Sequence, residues 1–118
     1  MAGRSAARRP TRDPFEALGD PNRRAIVERL SHGGRSVGEL AEDLPISRPA
    51  VSRHLRLLKE AGLVVEAPVG TRRIYRLHED GVDAVQDYIA QVWGEAMTRF
   101  RITAENTTPA RRRRAGPR

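Results

Sequence analysis

The period of this chain changes at Gly62. Before it, apolar side chains recur every three to four residues between short capping signals. After it, Leu63-Val64-Val65-Glu66 and Arg72-Arg73-Ile74-Tyr75-Arg76-Leu77 read as strands with a period of two. Few folds place two short helices and then one hairpin on a single small core. The helical part carries its own punctuation. Asp13, with Pro14 and Glu16, predicts a short helix with Phe15 and Leu18 on its apolar face. Asp20-Pro21 opens a second helix reaching about Leu30, and His32-Gly33-Gly34 stops it. Ser36 and Glu39 form a capping box for a third, through Asp43, and Leu44-Pro45-Ile46 is a tight turn that Pro45 keeps from becoming helix. Ser47 caps a fourth, which runs to Ala61 and ends on Gly62. Two helices joined by so short a turn have the layout of a helix-turn-helix, and a hairpin directly after it is a wing. Ala67 to Thr71 reads as the loop between the strands, and Asp80 as the cap of a long last helix reaching about Ala104. The fold class is therefore mainly α with a β-hairpin wing.

The last helix carries Val82, Val85, Ile89, Val92, Trp93, Ala96 and Phe100, all within about 100° of arc at 100° per residue. That seam is longer than one small domain needs. With Phe15 and Leu18 it suits a second copy of the chain, so the expected assembly is a homodimer built on the first and last helices.

Charge is informative only after it is divided. The 118 residues hold 22 Lys+Arg and 15 Asp+Glu, a formal charge of +7. Residues 1–12 contribute +4, residues 109–118 contribute +5, and the middle is −2. Apart from Met1 the ends lack large apolar side chains, so 1–12 is expected to be a disordered basic arm and 106–118 a disordered Arg-rich tail, flanking a domain over 13–105. Within the middle, residues 45–76 carry +5 and the rest −7. On a helical wheel Val51, His54, Leu55 and Leu58 share the apolar side of the fourth helix. Arg48, Pro49, Ser52, Arg53, Arg56 and Lys59 share the other. The basic patch thus coincides with the turn, the second helix of the motif and the hairpin, which adds Arg72, Arg73 and Arg76. Arginine can bond guanine O6 and N7 in the major groove, and hairpin arginines suit phosphates or the minor groove. Double-stranded DNA is the expected partner. His54 falls on the apolar side and is expected to be a hydrogen-bonded core histidine rather than a DNA contact.

Ser47-Arg48-Pro49-Ala50-Val51-Ser52-Arg53-His54-Leu55, continuing through Leu58-Lys59-Glu60-Ala61-Gly62-Leu63-Val64, resembles the recognition helix of the ArsR/SmtB family of winged-helix repressors. Phe15 to Pro21, Val37-Gly38-Glu39-Leu40-Ala41 and Gly70 to Leu77 match the same family, and the resemblance spans residues 13 to about 100. It implies a homodimeric repressor on an inverted repeat in a promoter, with DNA readers at Arg48, Pro49, Ser52 and Arg53. Members that sense metals use cysteines where this chain has Ser36, Gly38 and Ala41, or Asp, Glu and His on the last helix, where this chain has Asp83, Asp87 and Glu95 but no His. His32, His54 and His78 lie on different elements without ligand spacing. No metal, cofactor or thiol chemistry is expected.

Other classes are poorly served. There is no cysteine, no apolar run approaching a membrane span, no secretory h-region and no nucleophile elbow or phosphate-binding glycine loop. The expectation is a non-enzymatic, cytoplasmic, bacterial regulator; the bacterial source is suggested by 21 arginines to one lysine in an Ala-, Gly- and Pro-rich chain. Two alternatives stand beside it: a protein-interaction module on the same scaffold, and a nonspecific nucleic-acid-coating protein driven by its Arg-rich ends.

Overall fold

A computed structural model describes residues 10–107. Its elements are α1 (Pro14–Ala17), α2 (Pro21–Leu30), α3 (Val37–Asp43), α4 (Arg48–Glu60), β1 (Val64–Val69), β2 (Arg72–Leu77) and α5 (Glu79–Thr107). The helix starts follow from local chemistry. The Asp13 carboxylate accepts from the Phe15 amide, Asp20 from the Asn22 and Arg23 amides, and Ser47 from the Ala50 amide. Ser36 and Glu39 form the full reciprocal capping box. Glu16 does not complete one at α1. Its carboxylate lies 3.5 Å from Arg12 Nη1 instead.

The core is one cluster: Ala17, Ile26, Leu30, Leu40, Leu44, Val51, Leu55, Leu58, Ala61, Leu63 and Val64. Every element from α1 to β1 contributes to it, and α4 contributes the most side chains. Leu18, Tyr75, Leu77 and Val85 pack against it from the edge.

The hairpin is longer than the sequence suggests. β1 continues through Ala67, Pro68 and Val69, and Pro68 stands opposite Arg73. Proline cannot donate to a ladder, but β1 has β2 on one side only, so the missing N–H faces no strand. The loop shrinks to Gly70-Thr71. Gly70 has φ +64 while Thr71 keeps a negative φ, as a two-residue hairpin turn with glycine first requires. On its other edge β2 pairs with a single residue, Arg35, whose N–H and C=O both bond to Tyr75 at 3.0 and 2.8 Å.

Three boundaries differ from the sequence reading. Thr11 and Arg12, assigned to the disordered arm, donate their backbone N–H groups to the Glu60 carbonyl at 2.9 and 3.2 Å. The exposed C-terminal carbonyl of α4 gives them partners that composition could not reveal. Residues 1–9 of that arm, and the tail from 108, lie outside the described residues. Asp80 does not cap α5. The helix begins at Glu79, one residue before Asp80, and His78 supplies the first carbonyl, accepting from the Val82 amide at 3.0 Å. Asp80 instead sits in the first turn, where a negative charge suits the helix dipole. The last helix also runs on to Thr107.

The chain divides into two compact units, one ending at Val85 and one beginning at Gln86. The first holds the whole core and the motif. The second is the body of α5.

Candidate nucleic-acid interface

α4 is fixed by its buried face. Val51, Leu55 and Leu58 are 0%, 1% and 0% exposed, so the helix has one rotational setting. That setting decides what the other face presents. Arg48, Pro49, Ser52, Arg53, Arg56 and Lys59 are all exposed, as are Arg72, Arg73 and Arg76 on the hairpin. Arg48 and Pro49 occupy the first turn directly after the Ser47 cap.

The two helices of the motif meet closely beside this face. A Cβ at Gly38 would lie 3.0 Å from Arg48 Nη2, so the bare backbone of α3 gives the guanidinium its resting place. A cleft lined by Ser36, Val37, Gly38, Arg48, Arg72 and Arg73 runs from the start of α3 to the hairpin. Three arginines therefore border one hollow. The positions that carry cysteines in metal-sensing members serve other purposes here: Ser36 is a helix cap and Gly38 is a close-approach site. Among the described residues, no three of His, Asp and Glu stand close enough to share a metal ion.

The basic residues differ in their partners. Arg72 Nη2 is 3.1 Å from Glu39 Oε1. Glu66 takes two cations at once, Lys59 at 3.4 Å and Arg73 at 3.0 Å. The Tyr75 hydroxyl, donating to Glu66, holds that carboxyl below its ordinary value, and Lys59 and Arg73 add to the effect. Glu39 is held low first by the Ser36 backbone N–H and then by Arg72. Among the described residues no carboxylate pairs with Arg48, Arg53, Arg56 or Arg76.

Sequence reasoning missed Glu39, Glu66 and Tyr75 as parts of this surface. Glu39 was legible only as a cap. Glu66 lies opposite Tyr75 in the ladder, a relation that exists only once the register is known.

His54 is 8% exposed, inside the domain and behind the exposed face. Its Nδ1 lies 3.4 Å from Arg23 Nη1, and Arg23 Nε donates to the Ala17 carbonyl at 2.7 Å. Burial lowers the imidazole pKa; Arg23 and Arg53 push it the same way and Asp20 opposes them.

The residues offered as a dimer surface separate into two groups. Leu18 and Val85 pack against this chain's own core, and Val82 is half-buried in the same unit. Phe15 is 41% exposed. On the body of α5, Ile89, Val92, Trp93 and Phe100 are exposed, Trp93 by 60% and Phe100 by 72%, with Ala96 half-buried among them. Met97 and Ile102 are exposed as well.

Comparison with known proteins agrees with this architecture. A helix-turn-helix domain family matches residues 18–67. An HTH-type transcriptional regulator of Mycobacterium tuberculosis, Rv2034, is 52% identical over 96 residues, covering 81% of this chain and 89% of that protein. The crystal structure of an ArsR family transcriptional regulator superposes with a TM-score of 0.61 at 30% identity, over 70% of this chain and 86% of that one. This chain belongs to the ArsR family of helix-turn-helix transcriptional regulators. A solved homodimeric winged helix-turn-helix DNA-binding domain from Mycobacterium bovis is also similar, with a TM-score of 0.58 at 28% identity, over 78% of this chain and 81% of that one. In this ArsR-family chain α3 and α4 are thus the helix-turn-helix, α4 is the recognition helix, and β1-β2 is the wing.

Proposed function

We propose that this protein is a homodimeric transcriptional repressor that reads an inverted repeat in a promoter through α4 and works in the cytoplasm without a metal. One observation carries the reading. Arg48, Ser52, Arg53 and Arg56 project from one face of a helix whose opposite face is locked into the core, and the three arginines have no carboxylate partner among the described residues. A rigid row of uncommitted guanidinium groups beside a small hydroxyl suits base edges in a major groove. Pro49 shapes the first turn and can meet a thymine methyl. Lys59, Arg72, Arg73 and Arg76 flank this row and suit phosphates.

A second copy would join through the exposed stripe on α5 (Ile89, Val92, Trp93, Ala96 and Phe100) together with Phe15. Leu18, Val82 and Val85 complete the set of residues proposed for that interface. Two recognition helices related by a two-fold axis would enter successive major grooves about 34 Å apart. Such a dimer covers the promoter and excludes polymerase.

Genome-wide mapping of bound sites tests the reading. The expected result is a few sharp peaks sharing an inverted repeat in promoters. Diffuse occupancy without a shared sequence would favour a coating protein and overturn it.

A further inference from the structure

The cations of the reading surface are unequal. Arg48 in the first turn of α4, and Arg53 and Arg56 further along it, have no acidic partner among the described residues. Lys59, Arg72 and Arg73, at its margin and on the wing, are each held by a carboxylate of the same surface at 3.0 to 3.4 Å. Arg76 is the one wing arginine left without one among the described residues. We propose that Glu66 and Glu39 are specificity-determining residues: they hold Lys59, Arg73 and Arg72 back from DNA phosphates and so limit the sequence-independent part of binding. This inference rests on the reading that α4 and the wing meet DNA.

The physical case is a competition. Phosphate attraction is common to every duplex and supplies nearly all nonspecific binding. A cation that shares a carboxylate brings less net charge to the phosphates: Arg72 with Glu39 sums to zero, and Lys59 and Arg73 with Glu66 sum to one, so fewer condensed counterions are displaced. The pairs are solvent-accessible, so each is weak enough to be contested rather than locked. Glu66 is nonetheless well placed to compete. It sits in the ladder opposite Tyr75, whose hydroxyl donates to it, and it reaches Lys59 on α4 and Arg73 on the wing together. Glu39 is likewise fixed, because its Oε1 also accepts from the Ser36 amide at 2.8 Å. Neither carboxylate has to touch DNA. Each subtracts affinity from all sequences alike at the margin and leaves the arginines suited to base edges uncommitted. In a genome full of competing sites, lowering the shared term raises discrimination.

The test uses the full chain, a duplex of scrambled sequence and a duplex selected by the wild type, titrated across a range of salt. Glutamine is nearly isosteric at both positions: it can still accept from Tyr75 at 66, and it serves at the third position of a capping box at 39. Glu66→Gln should bind the scrambled duplex on the order of tenfold tighter and steepen the log–log salt slope by about 0.9, because one carboxylate offsets one of the two charges it holds. Glu39→Gln should steepen it by about 0.9. In both variants the preference for the selected duplex should fall. Adding Lys59→Gln to Glu66→Gln should remove nearly all of its slope change, since the cluster then carries the wild-type net charge. Glu28→Gln, at an exposed position of α2, supplies the same charge change without an ion pair among the described residues and should leave the slope unaltered.

Slopes equal to wild type in the Glu66 and Glu39 variants, weaker binding, or an equal gain from Glu28→Gln would overturn the inference alone. Wild-type protein that binds neither duplex in a salt-dependent way would remove the DNA reading and this inference together.

Discussion

Arg23 Nη1 lies 3.4 Å from His54 Nδ1, in the layer where α2 supports the back of the recognition helix. A guanidinium can only donate, so the imidazole must present a lone pair at Nδ1 and stay neutral. The same arginine donates from Nε to the Ala17 carbonyl at 2.7 Å and thereby joins α1, α2 and α4. Protonating His54 would set two cations against each other in a buried place.

That arrangement gives stability a pH dependence with a definite sign. Burial, then Arg23 and Arg53, depress the native His54 pKa below the ordinary 6.5, against the pull of Asp20. Over the range between the depressed native value and 6.5 the unfolded chain binds more protons than the native one, so unfolding free energy rises with pH. Its contribution is complete above 6.5 and is lost as pH falls from there through the native value. Urea midpoints measured at neutral and mildly acid pH should show this loss in the wild type. His54→Gln should flatten it over the same range. An identical slope in both proteins would refute the assignment.

Two glycines of α5 should respond oppositely to the same change. Alanine is the better helix former by about 1 kcal/mol, which alone predicts a gain at either site. At Gly81, however, a Cβ would collide with the Gly62 carbonyl and lie 2.8 Å from its carbon. Sterics win there, because the obstacle is backbone at the end of α4 and cannot swing aside. Gly81→Ala should destabilise by about 3 kcal/mol. Gly94 has nothing within 4 Å of a built Cβ, so Gly94→Ala should raise the thermal midpoint by a few degrees. Thermal melts of the two variants decide the point.

These contrasts show which parts of the molecule sequence reasoning can reach. Ser36, Ser47 and Gly62 mark helix ends because capping is settled within a few residues of chain. The apolar side of α4 was legible for the same reason, since a helix repeats its faces predictably. Pro68 misled, because whether a proline may sit in a strand depends on whether that strand has an open edge. Arg35 gave no signal of its bridge to Tyr75. The sign of charge at 45–76 was visible, but its neutralisation by Glu39 and Glu66 was not, since those pairs form between α3, α4 and the hairpin only after folding. Trp93 and Phe100 stand exposed on the apolar seam that the sequence marked, whereas Val85, on the same seam, is spent partly on the chain's own core.

The exposed stripe of α5 sets the assembly prediction. Trp93 and Phe100 are 60% and 72% exposed, and a second copy would bury them. Phe100→Glu should shift the protein from dimer to monomer in sedimentation or light scattering. It should also weaken DNA binding by more than tenfold at low protein concentration, because one half-site then binds alone. The monomer's core does not use Phe100, so helical content should remain. A variant that stays dimeric would place the interface elsewhere.

The central claim is that the exposed face of α4 reads bases, and selection from a random duplex library tests it most directly. Wild-type protein should enrich an inverted repeat with half-sites about 10 base pairs apart, centre to centre. Arg53→Ala should enrich the same repeat with the preference at one position per half-site relaxed, worth about 1–3 kcal/mol of discrimination. A wild type that enriches no sequence, or an Arg53→Ala variant with an unchanged motif at every position, would contradict the account.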